Sequence, residues 1–185
     1  MKTTDADANS TPEIVEQYRD YSPPVRVKKW VENLLESVPA KYTVGLKTVV
    51  LTNQGALSRN QRRQKLCQRG RKHRLAHARG AYYRATTYRP ATVWLYVDDS
   101  FQSQPRWTLR VPILRYLSLA PVLYHEIGHH IHAVHRPVYE GKENVAEKWS
   151  NYLSGQFLRK HYWYARPVLY VMWLMIRVAK RVRDK

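Results

Sequence analysis

Residues 121–135 read Pro-Val-Leu-Tyr-His-Glu-Ile-Gly-His-His-Ile-His-Ala-Val-His, and the predicted fold is organised around them. His125 and His129 are four residues apart, so on a helix their side chains project from one face, about 40° apart. The two imidazole nitrogens are then placed to bind one zinc ion. Glu126 follows the first histidine directly and can reach a water on the metal, so we expect it to act as the general base.

A catalytic zinc ion needs a third protein ligand, and the length of the helix indicates where it comes from. Pro121 is typical of a first helical turn, and Pro137 should end the helix near His135. A second helix that starts near residues 141–142 and runs back needs about as many residues to return level with the metal. This count favours Glu147 as the third ligand.

Two other third ligands remain open at this stage. Glu143 lies closer to the start of the returning helix, where the helix dipole also favours a glutamate. His135 completes the spacing HExxHxxHxxH, although that pattern usually has a glycine at the position of His132. Asn151 lies one turn after Glu147, and we expect it to orient that ligand by a hydrogen bond.

The remaining pattern predicts an α+β domain with a short mixed sheet, an HExxH helix and a second, glutamate-bearing helix packed behind it. Thr11 as cap and Pro12 at the next position are typical of a helix start. The pattern predicts helices over residues 11–18 and 25–38, strands over 42–52, 81–88 and 91–97, a hairpin or bend at Pro90, a polar loop over 98–111 and helices from 112 onward.

The chain is strongly basic, and the charge is uneven. The formal net charge is +18, and residues 37–97 contain no acidic residue. This balance favours an anionic partner such as nucleic acid or an anionic surface. The basic segment, residues 59–79, should form a basic helix or a mobile loop. The residues that we expect to contact phosphate are Arg62, Arg63, Arg69 and Arg71.

Compartment and organisation follow from the cysteine count and the two ends of the chain. Cys67 is the only cysteine, so no intramolecular disulfide forms, and we expect a cytoplasmic protein because residues 1–12 lack the features of a signal peptide. We expect a disordered tail at 1–11, one domain at 12–160 and an apolar, then basic, helix at 161–185. Contact of residues 162–176 with a membrane surface is a less favoured alternative to their burial.

Taken together, the motifs resemble the gluzincin metallopeptidases, in which HExxH is followed by a glutamate ligand on a later helix. The segment 147–153, with Glu147 and Asn151, is similar to the Glu-x-x-Ala-Asn helix of the ImmA/IrrE-type peptidases. The size and layout are similar to those of the minigluzincins, and the likeness covers about residues 80–160.

This resemblance implies a zincin-like fold and zinc-dependent hydrolysis of peptide bonds in a polypeptide substrate. One zinc ion would be bound by His125, His129 and Glu147. Residues 91–97 would be the edge strand that binds substrate, with Trp94 and Tyr96 in contact with it. Such a site also needs an oxyanion donor, and the residues available for it are Tyr152, His161 and Tyr162.

Two other functions remain open. In the first, the protein is associated with nucleic acid through the basic segment, either without proteolysis or as a peptidase that acts on DNA-bound proteins. In the second, the protein is a latent peptidase whose cleft is covered by a terminal segment such as residues 162–176.

Overall fold

A mixed β-sheet forms the centre of the fold. The computed structural model describes residues 11–63, 65–68, 71–74, 78–102, 105–135 and 142–165. The strands are β1 (Glu13–Gln17), β2 (Leu46–Thr52), β3 (Lys65–Gln68), β4 (Arg71–Arg74), β5 (Gly80–Tyr83) and β6 (Ala91–Tyr96). Among the described residues, four strands pair in the order β1-β2-β6-β5, with β5 antiparallel to β6 and the other pairs parallel. This arrangement confirms the predicted α+β fold with a short mixed sheet.

In the described part of the chain, helices lie between the strands and follow the last one. They are α1 (Val27–Leu35), α2 (Arg59–Arg63), α3 (Val97–Gln102), α4 (Pro112–His135) and α5 (Lys142–His161). The predictions of a helix at 25–38 and of strands at 42–52 and 91–97 are confirmed, with shorter bounds in each case. The predicted hairpin or bend at Pro90 is confirmed as well, because Pro90 lies between the antiparallel strands β5 and β6. The strand predicted for 81–88 is confirmed only in its first half.

The main core lies between the sheet and the helices α1 and α4. Alternate residues of β6 enter it, among them Val93 and Leu95, as expected for a strand with period two. From α4 come Leu123 and Ile127, both fully buried. Burial of each such side chain stabilises the fold by roughly 1.5–3 kcal/mol. The helix that carries HExxH is therefore anchored by its apolar side.

The N-terminal segment forms a strand, so the helix predicted for residues 11–18 is wrong. β1 pairs in parallel with β2, from Glu13 opposite Thr48 to Gln17 opposite Thr52. The Thr52 hydroxyl also donates a hydrogen bond of 2.7 Å to the Gln17 carbonyl. The capping signal is local, whereas the partner strand lies about thirty residues away, and the tertiary pairing overrides the local preference.

The helix α4 begins at residue 112, where the helical pattern was predicted to start, but the position of Pro121 differs from the prediction. It starts at Pro112, and Pro121 lies inside it rather than in its first turn. A proline inside a helix removes one backbone hydrogen bond. Here the neighbouring α5 contributes a contact at that point, because the Ser150 hydroxyl donates a hydrogen bond of 2.9 Å to the Pro121 carbonyl.

Two further segments differ in part from their predictions. Within residues 98–111, described in part, α3 and a 3-10 helix at Arg106–Arg110 replace the expected polar loop. In the basic segment, α2 is followed by the hairpin of β3 and β4, in which Lys65 lies opposite Arg74. The expectation of a helix or a mobile loop is therefore wrong for the paired strands.

The helices α4 and α5 cross in very close contact at one glycine. A Cβ atom on Gly128 would lie 2.7 Å from the Cα of Ala146, which is closer than real Cβ atoms approach. The absence of a side chain at this position lets the two backbones touch. Together with the Ser150–Pro121 hydrogen bond, this crossing fixes which residues of α5 lie beside the HExxH motif.

The two ends of the chain fall largely outside the described residues. These residues include neither 1–10, most of the expected tail, nor 166–185, most of the expected C-terminal helix. A 3-10 helix at Trp163–Ala165 follows α5. In the part of the chain that the structure describes, we found no helix with both the length and the apolar character that crossing a membrane requires.

The crossing predicts opposite effects for the same substitution at two glycines. Gly128→Ala should lower stability by about 1–3 kcal/mol, because the added methyl group forces the two backbones apart. Gly155→Ala, on the same helix pair, should raise it by about 0.5–1 kcal/mol, because nothing lies within 4 Å of the added Cβ and alanine favours a helix. Thermal unfolding followed by circular dichroism measures both changes. Equal effects at the two positions would contradict the assigned crossing.

Candidate metal centre

Two histidines and one glutamate converge where α4 passes the start of α5. The Nε2 atoms of His125 and His129 each lie 3.5 Å from a different carboxylate oxygen of Glu143. The two rings are perpendicular, with their centroids 4.8 Å apart. The three side chains are about one-fifth exposed, so the cluster is accessible from solvent.

The chemistry and spacing of these donors suit a zinc ion. One ligand atom from each residue can be chosen so that all three lie within 4.8 Å of one another. Tetrahedral zinc with bonds of about 2.0–2.2 Å separates its ligand atoms by roughly 3.3–3.6 Å. The nitrogen–oxygen distances of 3.5 Å fall in that interval. Two imidazoles and one carboxylate are also a usual set for catalytic zinc, which keeps a fourth position open.

Glu143, rather than Glu147, is the glutamate that the structure brings to the histidines. The prediction of Glu147 assumed that residues at equal distances from the turn between the two helices lie level with each other. The contact of Gly128 with Ala146 instead places the first turn of α5 beside the motif. Glu147 lies one turn further along, on an exposed part of α5. The preference between the two glutamates is therefore reversed.

Glu126 is separated from solvent beside the cluster. Its side chain is 3% exposed. Burial and, to a smaller extent, the nearby Glu143 carboxylate raise the pKa of its carboxyl group to about 8, although a hydrogen bond from the Tyr82 main chain acts in the opposite direction. A buried carboxyl group with a strongly shifted pKa is typical of a functional site.

The strand β5 closes over Glu126. A Cβ atom on Gly80 would lie 2.9 Å from the Cγ and Oε1 atoms of Glu126 and from a methyl group of Val122, so this position suits only glycine without rearrangement. The main-chain N–H of Tyr82 donates a hydrogen bond to the Glu126 carboxyl group. Glu126, the candidate general base, is thus held in place by contacts with the strand β5.

His130 is buried and belongs to the same contact between α4 and β5. It is 2% exposed, its Nε2 lies 2.9 Å from the Val44 carbonyl oxygen, and its Nδ1 lies 3.2 Å from the Tyr82 hydroxyl. Burial lowers the pKa of His130, so its neutral form is favoured. The structure therefore places His130 in the interior, outside the accessible histidine pair.

The other residues proposed for the site on α5 lie away from the cluster. Tyr152 is nine residues beyond Glu143, about 13 Å along the helix, and its hydroxyl accepts a hydrogen bond from Gln156. His161 is about 27 Å along the helix and its Nε2 lies 3.1 Å from the Ser37 hydroxyl. Asn151 is exposed. The structure therefore does not bring these side chains to the candidate metal centre. His135, the last residue of α4, is exposed and is also outside the cluster.

The strand β6 is an internal strand, so the expectation that residues 91–97 form an edge strand is wrong. It pairs with β2 on one side and with β5 on the other, which uses both of its edges. Trp94 is partly buried and Tyr96 is fully buried, which does not suit an extended substrate bound along this strand. The sheet order depends on long-range pairing that the spacing of strands along the chain does not reveal.

The residues expected to contact phosphate are only partly described. Arg62 donates hydrogen bonds of 3.1 Å to the Leu57 and Gly55 carbonyls, which occupies much of its guanidinium group. Arg63 is exposed at the end of α2. Arg69 and the side chain of Arg71 lie outside the described residues. Phosphate binding by the basic segment stays a prediction.

Sequence reasoning missed Gly80 and Tyr82 as parts of the site. Tyr82 belongs to the strand predicted for 81–88 and Gly80 directly precedes it, but the approach of β5 to Glu126 is a tertiary contact without a local pattern. Residues 80–83 read Gly-Ala-Tyr-Tyr, which carries no periodic signal of this contact. Comparisons with protein-family models, with curated proteins and with solved structures found no match.

The geometry predicts that only one of the two α5 glutamates affects zinc binding. Glu143→Gln should weaken zinc affinity by at least about 10–100-fold, the loss typical even of residues that only orient a ligand. Glu147→Gln is the matched control and should change affinity less than about threefold. Competition with a chromophoric chelator measures both constants. A larger loss for Glu147→Gln would restore the original ligand assignment.

Proposed function

We propose that the protein is a cytoplasmic zinc-dependent metalloendopeptidase. The observation that carries the proposal is the arrangement of a buried carboxyl group, Glu126, beside three accessible zinc-type ligands: His125, His129 and Glu143. A purely structural zinc site would be closed by a fourth protein ligand. Among the described residues, the cluster has three, which favours a catalytic site. The single cysteine is consistent with a reducing compartment.

The side chains divide the chemistry between them. Zinc, when bound, supplies Lewis acidity to the attacking water and to the carbonyl group that is cleaved. Glu126 accepts a proton from the water as its oxygen attacks the carbonyl carbon. The same carboxyl group then delivers this proton to the amine as the carbon–nitrogen bond breaks.

The substrate strand in this proposal is β5, which replaces the internal β6. The Tyr96 N–H donates a hydrogen bond of 2.9 Å to the Arg79 carbonyl, so these two residues form a hydrogen-bonded pair between the antiparallel strands. Hydrogen-bonded pairs alternate along antiparallel strands, so the main-chain groups of Gly80 and Tyr82 are directed away from β6. The Tyr82 N–H already donates to Glu126, so an extended peptide would pair with the remaining main-chain groups of this edge, which gives little preference for particular side chains.

The proposal predicts that Glu126→Gln separates catalysis from zinc binding. Its kcat/KM on casein should fall by about 10²–10⁴-fold, because amide replaces the proton-accepting carboxyl group at nearly constant volume. Zinc affinity should change less than about threefold, since Glu126 is not a ligand. Glu147→Gln serves as the control for the chemical change itself. Proteolysis by Glu126→Gln at the wild-type rate would refute the mechanism.

A further inference from the structure

Tyr82 makes two hydrogen bonds to the helix that carries the HExxH motif. Its main-chain N–H donates to the Glu126 carboxyl group, and its hydroxyl lies 3.2 Å from Nδ1 of His130. Glu126 and His130 are four residues apart on α4, so they share one face of the helix. One residue of β5 therefore contacts two successive turns of α4.

The partners of His130 determine the direction of this hydrogen bond. The Val44 carbonyl, 2.9 Å from Nε2, can only accept, so Nε2 carries a proton. In the neutral ring Nδ1 is then the acceptor, and the Tyr82 hydroxyl is the donor. His130 thus joins the loop before β2 to the Tyr82 side chain on β5, and the His130 side chain itself is buried.

We propose that His130 is a positioning residue that holds Glu126 in place through Tyr82. The inference rests on the proposed function for its catalytic consequence, but the tether itself does not depend on zinc. The hydrogen bond to His130 holds the Tyr82 side chain in place, and this keeps the main chain of β5 against α4. The Tyr82 N–H then remains directed at the carboxyl group that transfers the proton. Loss of the tether lets β5 move away from Glu126.

A buried hydrogen bond elsewhere on α4 provides a matched control. The Tyr124 hydroxyl donates a hydrogen bond of 3.1 Å to the Leu34 carbonyl, in the main core. Tyr82→Phe and Tyr124→Phe each remove one tyrosine hydroxyl and keep the ring. Both should lower Tm by a few degrees. A merely structural role for His130 predicts that the two variants also behave alike in every other measurement.

The test measures amide hydrogen exchange by NMR on the full metal-free chain, together with steady-state kinetics of the zinc-loaded protein. The exchange rate at position 82 is divided by that of Leu95, in the interior of the sheet, which removes the effect of global stability. We expect this ratio to rise at least about tenfold in Tyr82→Phe and in His130→Phe, and to stay within about twofold in Tyr124→Phe. We expect kcat to fall about 10–100-fold in the first two variants, with KM and zinc affinity within about twofold.

The double variant completes the test. If both residues act through one hydrogen bond, the double variant Tyr82→Phe with His130→Phe should change the exchange ratio and kcat no more than the more damaging single change does. An unchanged exchange ratio in Tyr82→Phe, equal changes in Tyr124→Phe, or additive effects in the double variant would overturn the tether. A wild-type protein without peptidase activity would remove the proposed function alone. The exchange ratio would then decide the tether, a rise supporting it and a constant value rejecting it.

Discussion

The backbone contact between Gly128 and Ala146 is the constraint on which the rest of the site depends. A side chain at position 128 would separate the helices, because its Cβ would meet the Ala146 backbone at 2.7 Å. With the two backbones in contact, Glu143 reaches both histidines from the first turn of α5. The glycine of HEIGH thus has a packing role that is separate from the chemistry of its neighbours. It determines which glutamate joins the cluster.

The sheet supplies the second half of the site. β5 lies at the edge of the sheet beside α4, with Gly80 allowing close approach to Glu126 and Tyr82 bonding it from the main chain. The metal ligands come from two helices, whereas the environment of the general base comes from a strand. Burial and hydrogen bonding therefore act on Glu126 independently of the ligands. This division explains how one carboxyl group stays buried while the neighbouring histidines remain accessible.

The parts of the site that the sequence predicted are those set by local geometry. His125, Glu126 and His129 follow from the helical repeat alone, and the α+β composition of the fold follows from alternating and helical patterns. The choice between Glu143 and Glu147 depended on how two helices cross, which one glycine decides without any periodic signal. The internal position of β6 and the strand at Glu13–Gln17 depended on pairing between distant segments. Long-range contacts, rather than local preferences, account for each of these errors.

The most direct test of the central claim is a crystal structure of the zinc-loaded protein with anomalous data collected at the zinc edge. We expect one anomalous peak, about 2.0–2.2 Å from the Nε2 atoms of His125 and His129 and from a carboxylate oxygen of Glu143. Gly128 should remain in contact with Ala146 in that structure. A peak coordinated by Glu147, or the absence of a peak at these histidines under saturating zinc, would contradict the account.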